Sequence, residues 1–273
     1  MSTSEQVREQ TALGVFAGEL RAARAARGLS QDALAELVSY SSSMVGMIES
    51  CRRIASMDFC QRADEALGTG GVLARLHPLI VGQAYPSWFR PYVELERAAR
   101  SLRSWEPLLV PGLLQTADYA RAVIRAARPA DEPEQIEEAV AARLERQAIL
   151  ERDDPPLAWF ILDQAVFLRP VGGPKVMQAQ VDHLLLAATR PRITVQVLPL
   201  DAGAHAGLTG ALVLASIDGQ PDTAHLDTLG PGLIADQPET VAGCVSAFES
   251  LRAEALSPAK SMDLIRKEAQ RWT

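Results

Sequence analysis

Apolar positions in the first third of the chain recur at helical spacing and are divided by short polar turns. Phe16, Leu20 and Ala23 share one stripe and predict a helix over Val15–Arg27. Gly28 follows, where a left-handed residue ends a helix at little cost. Ser30 is a residue type that caps helix N-termini and opens a second helix, Gln31–Val38. After the Ser39-Tyr40 turn, Ser41 caps a third, Ser42–Ser50. Ser56 caps a fourth, Met57–Leu67, which Gly68-Thr69-Gly70-Gly71 breaks. A fifth starts at Val72 and runs to Leu76 and beyond. Residues 1–11 are polar and expected to fray. Few β-branched residues occur here, so the pattern predicts five small helices and no sheet.

The next stretch, Gly82 to Pro91, holds glycine and prolines with Tyr85, Trp88 and Phe89, which reads as a packed hinge. Residues 88–152 read as helical, with Tyr92, Leu95, Ala99 and Leu102 on one face. Pro107 and Pro111-Gly112 interrupt. Thr116 caps a helix to about Arg128. Pro133 opens a longer one carrying Ile136, Val140, Leu144 and Gln147 on one face. The character changes after Asp153-Asp154-Pro155-Pro156. Leu157–Leu162, Val166–Arg169, Ile193–Leu198, Ala211–Ile217 and Ala224–Leu229 are expected as strands. Helices are expected from Pro174 to Thr189, from Pro238 to Ala255, and from Pro258, after the Ser257 cap, to near Trp272. The sum is an α+β fold. An all-α domain over residues 12–82 precedes a domain over residues 83–273 with helices around a mixed sheet of about five strands.

Composition narrows the function. Apolar residues make up 48% of the 273 and charged residues 22%, as in an ordinary globular chain. No apolar run approaches the roughly 18–20 residues of a membrane span. The opening MSTSEQVREQ lacks the apolar core of a secretion signal, so a cytoplasmic location is expected. The three cysteines form no C-x-x-C pair, and His205 and His225 lack metal-ligand spacing, so neither a metal nor any other cofactor is expected. The net charge is −7. Residues 1–82 hold eight Arg, no Lys and nine acidic residues. Contact with nucleic acid must therefore come from the placement of side chains and not from bulk charge. No nucleophile elbow or phosphate-binding glycine loop occurs, which points away from an enzyme.

The second and third helices have the length and separation of a helix-turn-helix. Small Ala35 permits close approach, and Leu34, Val38, Val45 and Ile48 supply a shared core. With Arg24, the run Gly28–Gln31 (GLSQ), Leu34-Ala35-Glu36 and Ile48-Glu49, residues 16–68 resemble the XRE/Cro-type repressors. The resemblance implies a third helix in the major groove of double-stranded DNA. It implies an internal salt bridge between Arg24 and Glu49. It assigns phosphate contacts to Ser30, Gln31 and Ser41, base contacts to Ser42, Ser43 and Met47, and backbone contacts to Arg52 and Arg53. It also implies a homodimer. Two departures stand out. The reading helix has no Lys, Arg, Asn or Gln, the side chains whose bidentate base contacts are worth roughly 1–3 kcal/mol each. Cys51 stands where these repressors have a glycine. Gly46, inside the helix, costs about 1 kcal/mol relative to Ala.

The remainder carries a second resemblance. It rests on Trp88-Phe89-Arg90-Pro91-Tyr92, the run Trp105–Thr116, Arg143–Gln147, Arg169–Gly173, Thr194–Pro199 with Gly203-Ala204-His205, and Ala255–Pro258. Together these resemble actinobacterial regulators of an antitoxin-like family. That resemblance implies control of the DNA-binding domain through this module and a small partner protein encoded next door. Trp105, Pro107, Leu109, Pro111, Leu114 and His205 are the candidate groove for a partner or ligand, with core packing at a helix junction as the other reading of the same residues. Two rival functions stay open: an antitoxin that neutralises its partner, and a small-molecule sensor whose sign would be a sizeable pocket.

Overall fold

The computed structural model describes residues 11–51, 53–85, 88–228 and 230–272. They form an α+β fold in two compact units. The first unit holds the described residues of Met1–Ser87 together with Asp131–Ala142. The second holds those of Trp88–Ala130 and Arg143–Thr273.

In the first unit the helices are α1 (Ala12–Ala26), α2 (Gln31–Val38), α3 (Ser42–Glu49), α4 (Met57–Leu67) and α5 (Val72–Ala84). Four of them start on a side-chain cap. Thr11, Ser30, Ser41 and Ser56 accept from the backbone N–H of Gly14, Ala33, Met44 and Phe59. The fifth is capped from a distance. The buried Asp64 carboxylate accepts from the N–H groups of Leu73 (2.9 Å) and Ala74 (2.8 Å), satisfying two orphan donors at the positive end of α5. Gly28 and Gly68 end α1 and α4 at φ +66° and +67°. Phe16, Leu20, Leu34, Val38, Val45 and Phe59 are fully buried and form the shared core. Helix α5 continues through Pro78 and Gly82, so no hinge starts at Gly82; Pro86 and Ser87 lie outside the described residues. Tyr85 is buried and donates its hydroxyl to the carbonyl of Ala142, 2.5 Å away.

The second unit is built on a six-stranded mixed sheet: β1 (Ser101–Glu106), β2 (Leu157–Asp163), β3 (Ile193–Leu198), β4 (Leu212–Ser216), β5 (Thr223–Leu226) and β6 (Leu233–Ala235). The order is β3-β2-β1-β4-β5-β6, parallel across the first three and antiparallel across the rest. Helices α6 (Arg90–Ala98), α7 (Ala117–Ala127), α9 (Pro174–Ala187), α10 (Pro238–Glu254) and α11 (Pro258–Ala269) complete it. Helix α8 (Pro133–Arg146) belongs to the first unit up to Ala142 and to the second from Arg143.

Each sheet face has its own core. Leu102, Phe160, Leu162 and Val195 pack with Tyr119, Leu184 and Ile265. Trp105, Ile161, Leu214 and Ala224 pack with Phe248 and Leu251 of α10.

Three expectations are corrected. Residues 101–106 form the central strand β1 and not more helix. Ala99 already adopts extended backbone (ψ 140°), and Leu102 and Trp105 end on opposite faces of the sheet. Val166–Arg169 is not a strand. The Asp163 carboxylate accepts from Ala165 N–H at 2.7 Å and winds Gln164–Phe167 into a 3-10 turn. The inward face of α8 runs through Ile136, Ala139, Val140 and Arg146, leaving Leu144 exposed.

Candidate functional site

Helix α3 is held from behind. Val45 and Ile48 enter the core, and its last residue, Glu49, is 3% exposed. Arg24 grips that carboxylate with two parallel hydrogen bonds, Nε to Oε1 at 2.6 Å and Nη2 to Oε2 at 2.9 Å. Its Nη1 donates to the carbonyl of Leu29 at 2.7 Å. One guanidinium thus ties the end of α3 to the turn between α1 and α2. The planar fork suits this bidentate geometry.

Gln31 joins the same cluster, donating Nε2 to Glu49 Oε2 at 2.7 Å. Sequence reasoning assigned Gln31 to a phosphate and did not find this bond. Gly46 faces the same amide. A Cβ there would come within 3.3 Å of Gln31 Oε1, so the amide would have to give by a few tenths of an ångström. The turn is fixed by Tyr40, whose hydroxyl donates to Asp58 Oδ2 at 2.9 Å, lies 3.1 Å from Ser56 Oγ, and whose ring packs edge-on against Phe59.

This leaves the other side of α3 open. Ser30, Ser41 and Ser43 are exposed, and Ser42 and Met47 are half-buried. Ser30 and Ser41 sit at the N-termini of α2 and α3, where backbone N–H groups and the helix dipole favour an anion. Arg53 is half-buried and close enough to Glu138 of α8 to oppose the rise that burial imposes on that carboxyl's pKa. Arg52 lies outside the described residues. Cys51 has φ +58°, a left-handed conformation that glycine adopts without strain.

In the second unit the six candidate groove residues do not share a groove. Trp105 is fully buried on the α10 face, donating Nε1 to the carbonyl of Gly207 at 2.9 Å with the His205 ring edge-on beside it. Leu114 is buried in the opposite core, and Pro111 is buried as well. Pro107 is half-buried. The loop carrying them is clamped by amides. Gln147 Nε2 donates to the carbonyls of Gly112 and Gln115, while Gln180 donates to the carbonyl of Leu114 and accepts from Thr116 N–H. Glutamine partners satisfy a backbone that forms only one short turn here.

Of the six, only Leu109 lines the cavity that this loop borders, a space of about 220 Å³. Phe89, Tyr92, Glu106, Arg143 and His225 line it as well. Arg146, also in the wall, pairs its Nε with buried Glu96 at 2.8 Å and lies over the Phe89 and Tyr92 rings. Removal from water pushes the Glu106 carboxyl up to about 8, against the Ser104 hydroxyl that donates to it at 2.6 Å. Burial likewise lowers His225, with Asp227 opposing, and raises Glu96, with Arg146 opposing. Sequence reasoning missed this cavity because its polar groups come from β1, α8 and β5.

Among the described residues no helix is long and apolar enough to cross a membrane, and no group of three His, Cys, Asp or Glu side chains is placed to hold a metal. Comparison with known families gives two matches: a helix-turn-helix domain over residues 15–76, and a domain of unknown function, DUF5753, over residues 89–267. No curated protein and no solved structure matches the chain.

Proposed function

We propose, for a chain that belongs to the DUF5753 family and carries a helix-turn-helix domain ahead of that module, the role of a DNA-binding transcriptional regulator that seats α3 in the major groove. The observation that carries this reading is the open side of α3. Ser42, Ser43 and Met47 lie outside the core while Arg24, Gln31 and Glu49 fix the helix from behind. Ser30, Ser41, Arg52 and Arg53 are the proposed phosphate contacts. Gln31 joins them only through the part of its amide not engaged by Glu49. Met47 offers a thymine methyl an apolar contact.

Serines and a methionine discriminate weakly beside an Arg–guanine pair. Specificity therefore comes from two copies binding as a homodimer and from DNA shape. Half-sites one helical turn apart follow, about 34–36 Å. DNA as the ligand places the site of action in the cytoplasm. The second unit is the controlling module, of the XRE-linked, antitoxin-like type, acting through a small partner protein encoded nearby.

The test is a fluorescence-anisotropy titration of the full chain at several salt concentrations. It compares duplex from the region upstream of its own gene with a scrambled duplex. Tighter binding to the upstream duplex, with affinity falling steeply as salt rises, supports the reading. Equal weak binding to both duplexes contradicts it.

A further inference from the structure

We infer that the 220 Å³ cavity of the second unit is a binding site for a small organic carboxylate, held by Arg143 at its acidic end and by the apolar wall along its body. This inference is independent of whether α3 reads DNA.

The size comes first. Two hundred and twenty cubic ångströms lies below the roughly 300–1,000 Å³ of sites for drug-sized ligands. At about 30 Å³ of liquid volume per water, it holds on the order of seven waters. The ligand is therefore compact, roughly the size of a benzoate or a branched short-chain acid. The wall is mixed. Phe89, Leu109, Val110, Val123 and Val213 give apolar surface, and Glu106, Gln115, Arg143, Arg146 and His225 bring polar groups to it.

The charge follows from those polar groups. Arg143 is set in place by Gln115, whose Oε1 accepts from Arg143 Nη1 at 2.7 Å while its Nε2 donates to the carbonyl of Val110. Gly112 lets both guanidiniums close on the loop. A Cβ there would lie 2.5 Å from Arg146 Nη2 and 3.2 Å from Arg143 Cδ. Two guanidiniums, Arg143 and Arg146, line the cavity, and Arg146 is paired with the buried Glu96 beneath it, which also accepts from the Tyr92 hydroxyl. Asp227 is at the rim with an exposed side chain, where water screens it.

Glu106 is the remaining acid. Below about pH 8 it carries its proton and is a hydrogen-bond donor, so it assists an anion that it would otherwise repel. The groups that face it are Tyr92 and Glu96 on α6, Tyr119 on α7, Arg143 and Arg146 on α8, and His225 with Asp227 at β5. His225 titrates below its usual range and stays neutral across the interval tested. An amine ligand would need Glu106 ionised and would meet two guanidiniums.

The test is saturation-transfer NMR on the full chain with benzoate, phenylacetate and isovalerate, each beside its primary amide. At least one acid is expected to bind at millimolar concentration or better, with its amide at least tenfold weaker. Its affinity should fall by up to about tenfold per pH unit above pH 8, as Glu106 ionises. Arg143→Gln should weaken it at least tenfold. Glu106→Gln, which keeps a donor of the same shape, should keep binding and lose that fall. The inference is overturned if no acid of the three binds at about 10 mM, if acid and amide bind alike, or if Arg143→Gln leaves binding unchanged in a chain with the parent's circular dichroism spectrum.

Discussion

Removing Arg24 isolates a buried charge. Glu49 has a side chain 3% exposed, and Arg24 supplies two of its three side-chain hydrogen bonds. In Arg24→Ala the carboxylate keeps only the Gln31 amide. Removing one partner of a buried ion pair costs about 3–5 kcal/mol, because the survivor stays out of water without compensation. The lower end applies here, since Arg24 itself is 17% exposed and is already partly hydrated in the parent. A loss of about 3 kcal/mol is a large share of the 5–15 kcal/mol that holds a domain folded. For a unit of this size it lowers Tm by on the order of 10–20 °C.

The assay is urea unfolding followed by two signals. Far-UV circular dichroism reports helix throughout the chain. Tryptophan fluorescence reports the second unit only, because Trp88, Trp105, Trp159 and Trp272 all lie there. The circular dichroism transition of Arg24→Ala should move to lower urea, with the tryptophan signal as the internal reference. Arg24→Lys keeps the charge but not the fork, so it should recover only part of the loss. A change below about 1 kcal/mol in Arg24→Ala would refute the anchoring role given to this pair.

Other expectations follow from the same geometry. The raised Glu106 pKa means the folded chain holds a proton that the unfolded chain releases near pH 4.5, so stability falls between about pH 4.5 and pH 8. Glu106→Gln should flatten that fall, seen as melting temperatures of the two chains converging at low pH and separating in favour of the variant at pH 8. Cys51→Gly relieves a left-handed residue and should stabilise the first unit by up to about 1 kcal/mol, measured by the same urea transition. Asp64→Ala strips two backbone donors of α5 of their acceptor and should cost about 2 kcal/mol; a loss under 0.5 kcal/mol would contradict the remote cap. Arg53→Ala should weaken binding to every duplex alike and flatten the salt dependence, as expected of a phosphate contact.

Much of the first unit was legible because its signals are local. The serine caps Ser30, Ser41 and Ser56 and the glycine stops Gly28 and Gly68 are read without reference to the rest of the chain. The bounds Gln31–Val38 and Met57–Leu67 follow from those signals alone. What was not legible is contact between distant positions. Gln31 carries no sign in sequence that its amide meets Glu49, and Asp64 none that it caps a helix nine residues on. In the second unit, β1 was hidden because Tyr92, Leu95, Ala99 and Leu102 satisfy helical spacing although the last two follow the helix. Strand β6 has three residues, too few to alternate. The cavity was hidden for the same reason as the Gln31 contact. Glu106, Arg143 and His225 are ordinary residues along the chain, and only the sheet order and the last turn of α8 place them together.

The central claim is that α3 reads DNA in the major groove. The thymine C5-methyl is exposed only in that groove, and Met47 is the side chain proposed to touch it. The direct measurement is an anisotropy titration of the upstream duplex beside the same duplex with uracil in place of thymine, for the parent chain and Met47→Ala. The account predicts that uracil weakens the parent several-fold and leaves Met47→Ala nearly indifferent. Equal loss in both chains, or no loss in either, would contradict the docking of α3.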